Sequence, residues 1–266
     1  MVCAFIASRI QTSGGQVQVL EIKIPAQNGQ WVAADLLKPR SATAENPAPL
    51  VVVVPGFQRS REALANIAIE LARRGIVVIS IDPYAQGRSS SSYSRRAATT
   101  EGYGMFAVVD YAASSENLNY IDKSRIASTG HSAGGNAAIR GANYFGRQAQ
   151  ESGLPSKLHS VFVSGYVLTL QHDVLKDVRS NIGVSYAFYD EGAYRNELKN
   201  GDMRIAPEAL RVVNLDRDPA LPPVEEVQLG HYNGTLDERT LRVVHNEPIN
   251  HPFQPYMPES TANQLE

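Results

Sequence analysis

Short runs of consecutive apolar residues alternate along this chain with segments of helical periodicity. Residues 50–54 (LVVVV) and 76–81 (IVVISI) have the continuous apolar character of strands that are buried on both faces. Between them, residues 60–74 (SREALANIAIELARR) have apolar side chains at helical spacing. Because neighbouring parallel strands are joined by such crossover helices, the pattern predicts an α/β fold, with a mostly parallel sheet and helices on both faces.

The same alternation continues along the chain. Further strands are predicted at 17–24, 31–37, 125–129, 159–165 and 181–189, and helices at 101–116 and 132–145. The first two strands are separated by Asn28-Gly29, which predicts an opening hairpin. A final strand ends near His245, so the sheet has about eight strands. The 266 residues, 43% of them hydrophobic, are enough for one domain that spans residues 1–266.

Residues 192–238 interrupt the alternation, because they are rich in proline and show little periodicity. We interpret them as an insertion between the last two core strands. The insertion is predicted to end in a hairpin, with a strand at 224–232 and its turn near Asn233-Gly234. Residues 210–215 offer an alternative strand within the same segment.

The two ends of the chain give weaker indications. A final helix is predicted to begin at Pro258 and to be truncated at Glu266. Residues 1–7 (MVCAFIA) are apolar but too short for a signal peptide. We expect a frayed or loosely packed start, with the remnant of a trimmed signal or anchor segment as the alternative. No stretch reaches the roughly 18 apolar residues that a membrane span requires.

Composition excludes several classes of function. The net charge of −2 does not provide the basic surface that nucleic-acid binding needs. Cys3 is the only cysteine, so neither an intramolecular disulfide nor a cysteine-based zinc site can form. Histidines and carboxylates are not spaced as metal ligands, and no glycine-rich phosphate loop with a lysine follows a strand. We therefore expect no metal and no cofactor.

The segment GHSAGGN, residues 130–136, lies between the predicted strand at 125–129 and the predicted helix. A Gly-x-Ser-x-Gly motif in this context is typical of a sharp turn that exposes a nucleophilic serine at the carboxyl end of the sheet. The helix N-terminus also favours a developing negative charge. Ser132 is therefore the predicted nucleophile. His131 is expected to point elsewhere.

Five segments, VVVVPGF, VISIDPYAQGRS, YIDKSRIASTGHSAGG, IGVSYAFYDE and NEPINHPF, occur in this order along the chain. Together they resemble the α/β-hydrolase superfamily, nearest to its dienelactone-hydrolase and esterase branch. The late segments resemble a group of bacterial α/β-hydrolases that are often membrane-anchored. Membrane attachment in a longer protein, and an extracytoplasmic rather than cytoplasmic location, are implied by that resemblance and by the apolar N-terminus alone.

An acyl-transfer site needs two N–H donors aimed at the developing oxyanion. The resemblance implies that these are the backbone N–H groups of Phe57 and Ala133, with Gln58 a weaker candidate beside Phe57. The rings of Phe57, Tyr84 and Tyr166 are candidates for the wall of a substrate pocket, as is Tyr194.

The serine needs a base, and in this fold the order along the chain is serine, acid, histidine. His251 lies in a loop after the last predicted strand, from which it can reach the serine, and it is favoured over His245. The resemblance implies Asp190 as the acid. Glu191 and Asp218 remain alternatives, and Asp218 has the more usual spacing from His251.

These residues predict a serine hydrolase that cleaves small carboxylic esters through an acyl-serine intermediate. An amidase or peptidase with the same triad is the alternative within the enzymes. A non-catalytic binding protein with the same fold is the alternative outside them. The sequence does not indicate the oligomeric state.

Overall fold

A computed structural model describes residues 2–266. Its strands form one eight-stranded sheet. The strands are β1 Val17–Pro25, β2 Trp31–Pro39, β3 Ala48–Val54, β4 Val77–Ile81, β5 Ile121–His131, β6 Ser160–Ser164, β7 Asn181–Ala187 and β8 Arg242–Glu247. Their order in the sheet is β1-β2-β4-β3-β5-β6-β7-β8. β1 and β2 form an antiparallel hairpin and β2 pairs antiparallel with β4, whereas all the other neighbours are parallel.

Helices cover both faces of this sheet, which confirms the predicted fold class. They are α1 Val2–Gln11, α2 Ala65–Arg73, α3 Ala97–Thr100, α4 Met105–Ser114, α5 Ala133–Ser152, α6 His172–Leu175, α7 Pro207–Val213 and α8 Pro258–Leu265. The apolar side chains of α4, α5 and α7 pack in the larger core. Those of α2 pack on the opposite face, where Leu265 of α8 joins them.

Several elements differ in length from their predictions. β5 starts at Ile121, and α5 continues to Ser152, seven residues beyond the predicted end at 145. The helix predicted over 101–116 is interrupted at Tyr103, whose φ is +55°, and α4 begins only at Met105. Element ends are weakly determined by side-chain periodicity, because capping and loop geometry decide them.

Two predictions for the segment between β7 and β8 are wrong. Residues 210–215 are not a strand, because they lie largely in α7, where Ala209, Val212 and Val213 present one buried face at helical spacing. Residues 224–232 carry no strand in the described structure. The expected hairpin is reduced to one antiparallel bridge between Asn233 and Arg242.

The N-terminal segment is a loosely packed helix rather than a frayed end. α1 spans Val2–Gln11 and has no buried residue, and the Arg73 guanidinium donates a hydrogen bond to the Ile10 carbonyl at 2.8 Å. Among residues 2–266, no helix combines the length and the apolar character needed to cross a membrane.

The backbone at the junction of β5 and α5 packs in direct contact with the end of β3. A Cβ atom on Gly134 would overlap the Val54 carbonyl, and one on Gly130 would overlap the same oxygen. Since backbone cannot move aside as a side chain does, only glycine fits at these two positions. The close approach fixes the height of α5 above the sheet, and with it the turn between them.

Substitution of Gly134 by alanine is expected to destabilise the fold by about 3 kcal/mol or more, because the new methyl group meets backbone. Gly141→Ala on the same helix is the matched control, since its Cβ would meet the flexible end of Met105 first. We expect that variant to stay within about 1 kcal/mol of wild type, helped by the helix propensity of alanine. Urea unfolding of both variants measures the difference, and equal losses would contradict the backbone clash.

Candidate active site

Ser132 forms the turn between β5 and α5, at the carboxyl edge of the sheet. Its backbone angles, φ +57° and ψ −118°, lie in a region that residues other than glycine rarely adopt. The turn is held at both ends: the Ser132 N–H donates to the Ser164 carbonyl at 2.8 Å, and the Ser132 carbonyl accepts from the Asn136 N–H at 3.0 Å. A hydroxyl group is thereby placed at the point where parallel α/β sheets bind ligands.

Asp190 and His251 meet at the same edge. Asp190 lies just beyond β7, and His251 begins a short 3-10 helix, His251–Tyr256, just beyond β8. The His251 Nδ1 atom lies 2.8 Å from the Asp190 Oδ2 atom. The Asp190 side chain is 5% exposed and that of His251 is 22% exposed. A buried carboxylate that holds a partly exposed imidazole leaves the Nε2 atom as the one available for proton transfer.

The surroundings keep Asp190 ionised. Burial raises the pKa of its carboxyl, but the hydrogen bond and charge of His251 lower it, as do the Gly192 N–H and the Tyr186 hydroxyl. The Gly192 N–H donates to Asp190 Oδ1 at 2.6 Å. The lowering contributions prevail, so the pKa of Asp190 lies below its ordinary value.

The alternative residues lie elsewhere. Asp218 accepts the Ala220 N–H in an exposed loop, and Glu191 is exposed. His245 is buried on β8, where its Nε2 atom lies 3.8 Å from the Glu266 carboxylate at the end of α8. The only acid within hydrogen-bond distance of His251 among residues 2–266 is Asp190.

His131 lies against His251 rather than away from the site. The two ring centroids are 4.5 Å apart, with 40° between the ring planes. His131 is 8% exposed. Burial, together with the nearby His251, lowers the pKa of His131 to about 3. Its ring is therefore neutral across the physiological pH range. The sequence contains no pattern that predicts this contact, because it depends on where the loop after β8 returns.

Two backbone N–H groups flank Ser132. The Gly56 backbone approaches so closely that a Cβ atom there would lie 3.4 Å from the Ser132 Cβ atom. Phe57 follows Gly56, and Ala133 follows Ser132 as the first residue of α5. Neither the Phe57 nor the Ala133 N–H donates a hydrogen bond within the described part of the chain. Both are therefore free to bind an oxygen atom.

The loop that carries Phe57 is tied to the loop after β4, a connection that the motifs do not reveal. The buried Asp82 carboxylate accepts the Arg61 N–H at 2.9 Å and pairs with the Arg61 guanidinium at 2.7 Å. The Gln86 side chain accepts the Arg59 N–H at 2.9 Å. An aspartate directly after a buried strand is the sequence feature that indicates such a tie.

Exposed aromatic rings occur on the loops that carry these groups. Phe57 is 66% exposed, and Tyr189, next to Asp190, and Phe253, two residues after His251, are each 59% exposed. Tyr166 is half-buried in the loop after β6. Tyr84, by contrast, is buried in the core near Gly104, so the structure does not bring it to this surface.

Residues 4–203 match the model of the protein family PETase, which is described as PET hydrolase-like. The chain belongs to the PET hydrolase-like family. No curated protein sequence matches it.

Solved structures share the fold of this PET hydrolase-like chain. An esterase from Pyrococcus furiosus superposes with a TM-score of 0.60 at 11% identity, covering 96% of this chain and 94% of that one. A dienelactone hydrolase from Anabaena variabilis gives 0.59 at 13% identity, covering 94% of both chains. An esterase from Pyrobaculum calidifontis gives 0.58 at 19% identity, covering 99% and 85%.

The solved structures confirm the predicted α/β-hydrolase fold, which this chain shares with the dienelactone hydrolase and the esterases. The family match identifies the PET hydrolase-like chain as a hydrolase. Within residues 2–266 no cluster of three histidine, cysteine or acidic side chains is arranged to hold a metal ion.

The low pKa of His131 predicts how the stability of this PET hydrolase-like chain depends on pH. Below the ordinary value of 6.5, the unfolded chain binds a proton at His131 that the folded chain does not bind until about pH 3. The folded state therefore loses stability as pH falls through this range, by at most about 1.4 kcal/mol per pH unit.

Chemical denaturation of wild type and of His131→Phe between pH 7 and pH 4 measures this contribution. The phenylalanine variant should lose less stability over the range, and His172→Gln, which changes an exposed histidine, should follow wild type. Parallel curves for wild type and His131→Phe would contradict the assignment.

Proposed function

We propose that this chain is a serine hydrolase that cleaves carboxylic esters through an acyl-serine intermediate. Ser132 is the nucleophile, His251 the general base and acid, and Asp190 the carboxylate that orients His251. The N–H groups of Phe57 and Ala133 form the oxyanion hole. The observation that carries the proposal is the 2.8 Å bond between His251 and a buried, ionised Asp190, at the sheet edge where Ser132 forms a strained turn.

The first half of the reaction forms the acyl-enzyme. The Ser132 Oγ atom attacks the ester carbonyl carbon while His251 Nε2 takes the hydroxyl proton. Asp190, bonded to Nδ1, stabilises the resulting imidazolium. The carbonyl oxygen becomes an oxyanion and accepts hydrogen bonds from Phe57 and Ala133. Collapse breaks the ester C–O bond, and His251 returns the proton to the leaving alcohol.

The second half of the reaction releases the acid. Water replaces the alcohol, His251 takes one of its protons, and the hydroxide oxygen attacks the acyl carbon. The same two N–H groups hold the second oxyanion. When this intermediate collapses, the bond to Ser132 breaks and the serine oxygen regains its proton from His251. The products are a carboxylic acid and the free enzyme.

The exposed rings favour esters of apolar or aromatic acids. Phe57, Tyr189 and Phe253 are each more than half exposed and adjoin the catalytic groups, so a substrate can bury ring surface against them without entering a deep cavity. The description of the family as PET hydrolase-like supports the same class, because PET is a polymeric aromatic ester.

A fluorophosphonate probe tests the triad. Intact mass should show one adduct on wild type and none on Ser132→Ala, because the probe reacts only with an activated serine. Hydrolysis of p-nitrophenyl esters should fall by about four orders of magnitude in kcat for Ser132→Ala, His251→Gln and Asp190→Asn.

Asp218→Asn is the matched control, because it removes the same charge from the rival aspartate, and it should retain wild-type kcat and labelling. A folded wild-type chain that takes up no probe would refute the proposed function. Loss of activity in Asp218→Asn but not in Asp190→Asn would refute the assignment of the acid.

Phe57→Ala separates the two roles given to this residue. The backbone N–H remains, so kcat should change little, whereas loss of the ring should raise KM for p-nitrophenyl benzoate by roughly tenfold. Leu154→Ala removes an apolar side chain of comparable exposure in the loop before β6, at the amino edge of the sheet, and should leave KM unchanged. A large fall in kcat with constant KM would contradict the binding role of the ring.

A further inference from the structure

A chain of buried hydrogen bonds lies beneath the 3-10 helix that begins with His251. Gln254, three residues later, is fully buried, and its amide Nε2 lies 2.7 Å from the Ser185 Oγ atom and 3.3 Å from a Glu247 oxygen. Ser185 Oγ lies 2.9 Å from both Glu247 oxygens. The Asn263 amide donates to Glu247 at 2.7 Å. These bonds tie the turn that carries His251 to β7, β8 and α8.

The chemistry of the groups fixes the direction of this chain. The Glu247 carboxylate only accepts hydrogen bonds, so the Gln254 amide must face it with its NH₂ group. The Ser185 hydroxyl donates to Glu247 and accepts from Gln254. The Gln254 amide oxygen is therefore forced to point away, and it has no donor within the described residues.

A buried ring nitrogen without a partner lies across from this oxygen. The Nε2 atom of His131 is also buried without a partner in the same part of the chain. Both atoms face Gly165, whose φ is +64°: a Cβ atom there would lie 2.8 Å from His131 Nε2 and 2.9 Å from Gln254 Oε1. The backbone of Gly165 leaves open the space between them. A buried donor and a buried acceptor that share one small space satisfy each other at far lower cost than either alone.

We propose that Gln254 is a positioning residue, which accepts a hydrogen bond from His131 Nε2, directly or across one water, and thereby holds the His131 ring against His251. This inference rests on the proposed function of His251. In this arrangement His131 carries its proton on Nε2 and presents an uncharged ring to His251.

A neutral neighbour matters because His251 becomes positively charged during the reaction. The charged or titratable groups that act on His131 are His251, Asp190 and Arg59. Of these, only the negative charge of Asp190 favours a positive charge on His131, whereas His251 and Arg59 disfavour it. A freely turning or protonated His131 would compete with His251 for that carboxylate, whereas a ring fixed by Gln254 supports the orientation of His251 and adds no charge.

The protonated nitrogen of His131 can be observed without turnover. Long-range ¹H–¹⁵N spectra of the full chain with ¹⁵N-labelled histidine distinguish the two neutral forms of each ring, and His131→Phe identifies the His131 signals among those of the six histidines. Wild type should show His131 protonated on Nε2 at pH 7. Gln254→Met, which removes the acceptor, should give a mixture of both forms.

Kinetics test whether the pair acts on the reaction. Gln254→Met and His131→Phe should each lower kcat by roughly tenfold with KM within twofold, since they disturb the orientation of the base rather than substrate binding. The double variant should be no slower than the slower single variant, because both changes remove one connection. Gln264→Met is the control: Gln264 is also buried, but its amide donates to Thr129.

Each outcome decides the inference. Protonation of wild-type His131 on Nδ1, or spectra unchanged in Gln254→Met, would overturn it. Additive losses in the double variant, or an equal loss in Gln264→Met, would also overturn it. If Gln254→Met does not fold, His131→Phe provides the kinetic test, because this variant keeps the bonds of Gln254 to Ser185 and Glu247. A wild-type kcat in His131→Phe would then refute the inference. A wild-type chain without a fluorophosphonate adduct refutes the proposed function instead, and the NMR result still tests the pair.

Discussion

The contact of backbone with backbone at the end of β3 is the constraint on which the rest of the site depends. Gly130 and Gly134 bring the β5–α5 turn against the Val54 carbonyl, and Ser132 is held in a left-handed conformation between them. A residue keeps such a conformation only where its surroundings over-determine it. Next to this contact, the loop after β3 approaches Ser132 closely, since a Cβ atom on Gly56 would lie 3.4 Å from the Ser132 Cβ atom.

The other half of the site has a different physical basis. Asp190 and His251 follow two adjacent parallel strands, β7 and β8, and meet because both strands end at the same edge. The strands bring Asp190 and His251 near each other, and buried polar groups then fix their positions. Glu247, Ser185 and Gln254 hold the turn after β8, and the Gly192 N–H holds the carboxylate. Each bond of this network fixes the orientation of both of its partners, which makes the arrangement of the turn specific.

The sequence was informative where one physical rule acts locally. Continuous apolar runs predicted the parallel strands, and the glycines around Ser132 predicted the turn, since both depend on near neighbours alone. It was uninformative where distant segments meet. α7 has only seven residues, too few for its helical periodicity to be recognised. The expected strand at 224–232 lies in a polar, proline-rich segment, and a single bridge at Asn233 forms in place of the hairpin. The contact of His131 with His251 depends on the return of the chain about 120 residues later. Resemblance, and not spacing, favours Asp190 over Asp218, because spacing along the chain carries no information about the length of the excursion between β7 and β8.

That excursion, residues 193–241 beyond the turn that holds Asp190, separates Asp190 from His251 in sequence but not in space. Its ends are set by the pairing of β7 with β8, and the buried Arg242 guanidinium pairs with Asp216 to fasten its middle to the start of β8. Length and composition between these fixed points can therefore change without altering the distance between the aspartate and the histidine. The excursion is a region in which mutations accumulate at little cost to the chemistry, and it is where divergence among relatives should concentrate and new substrate preferences should arise.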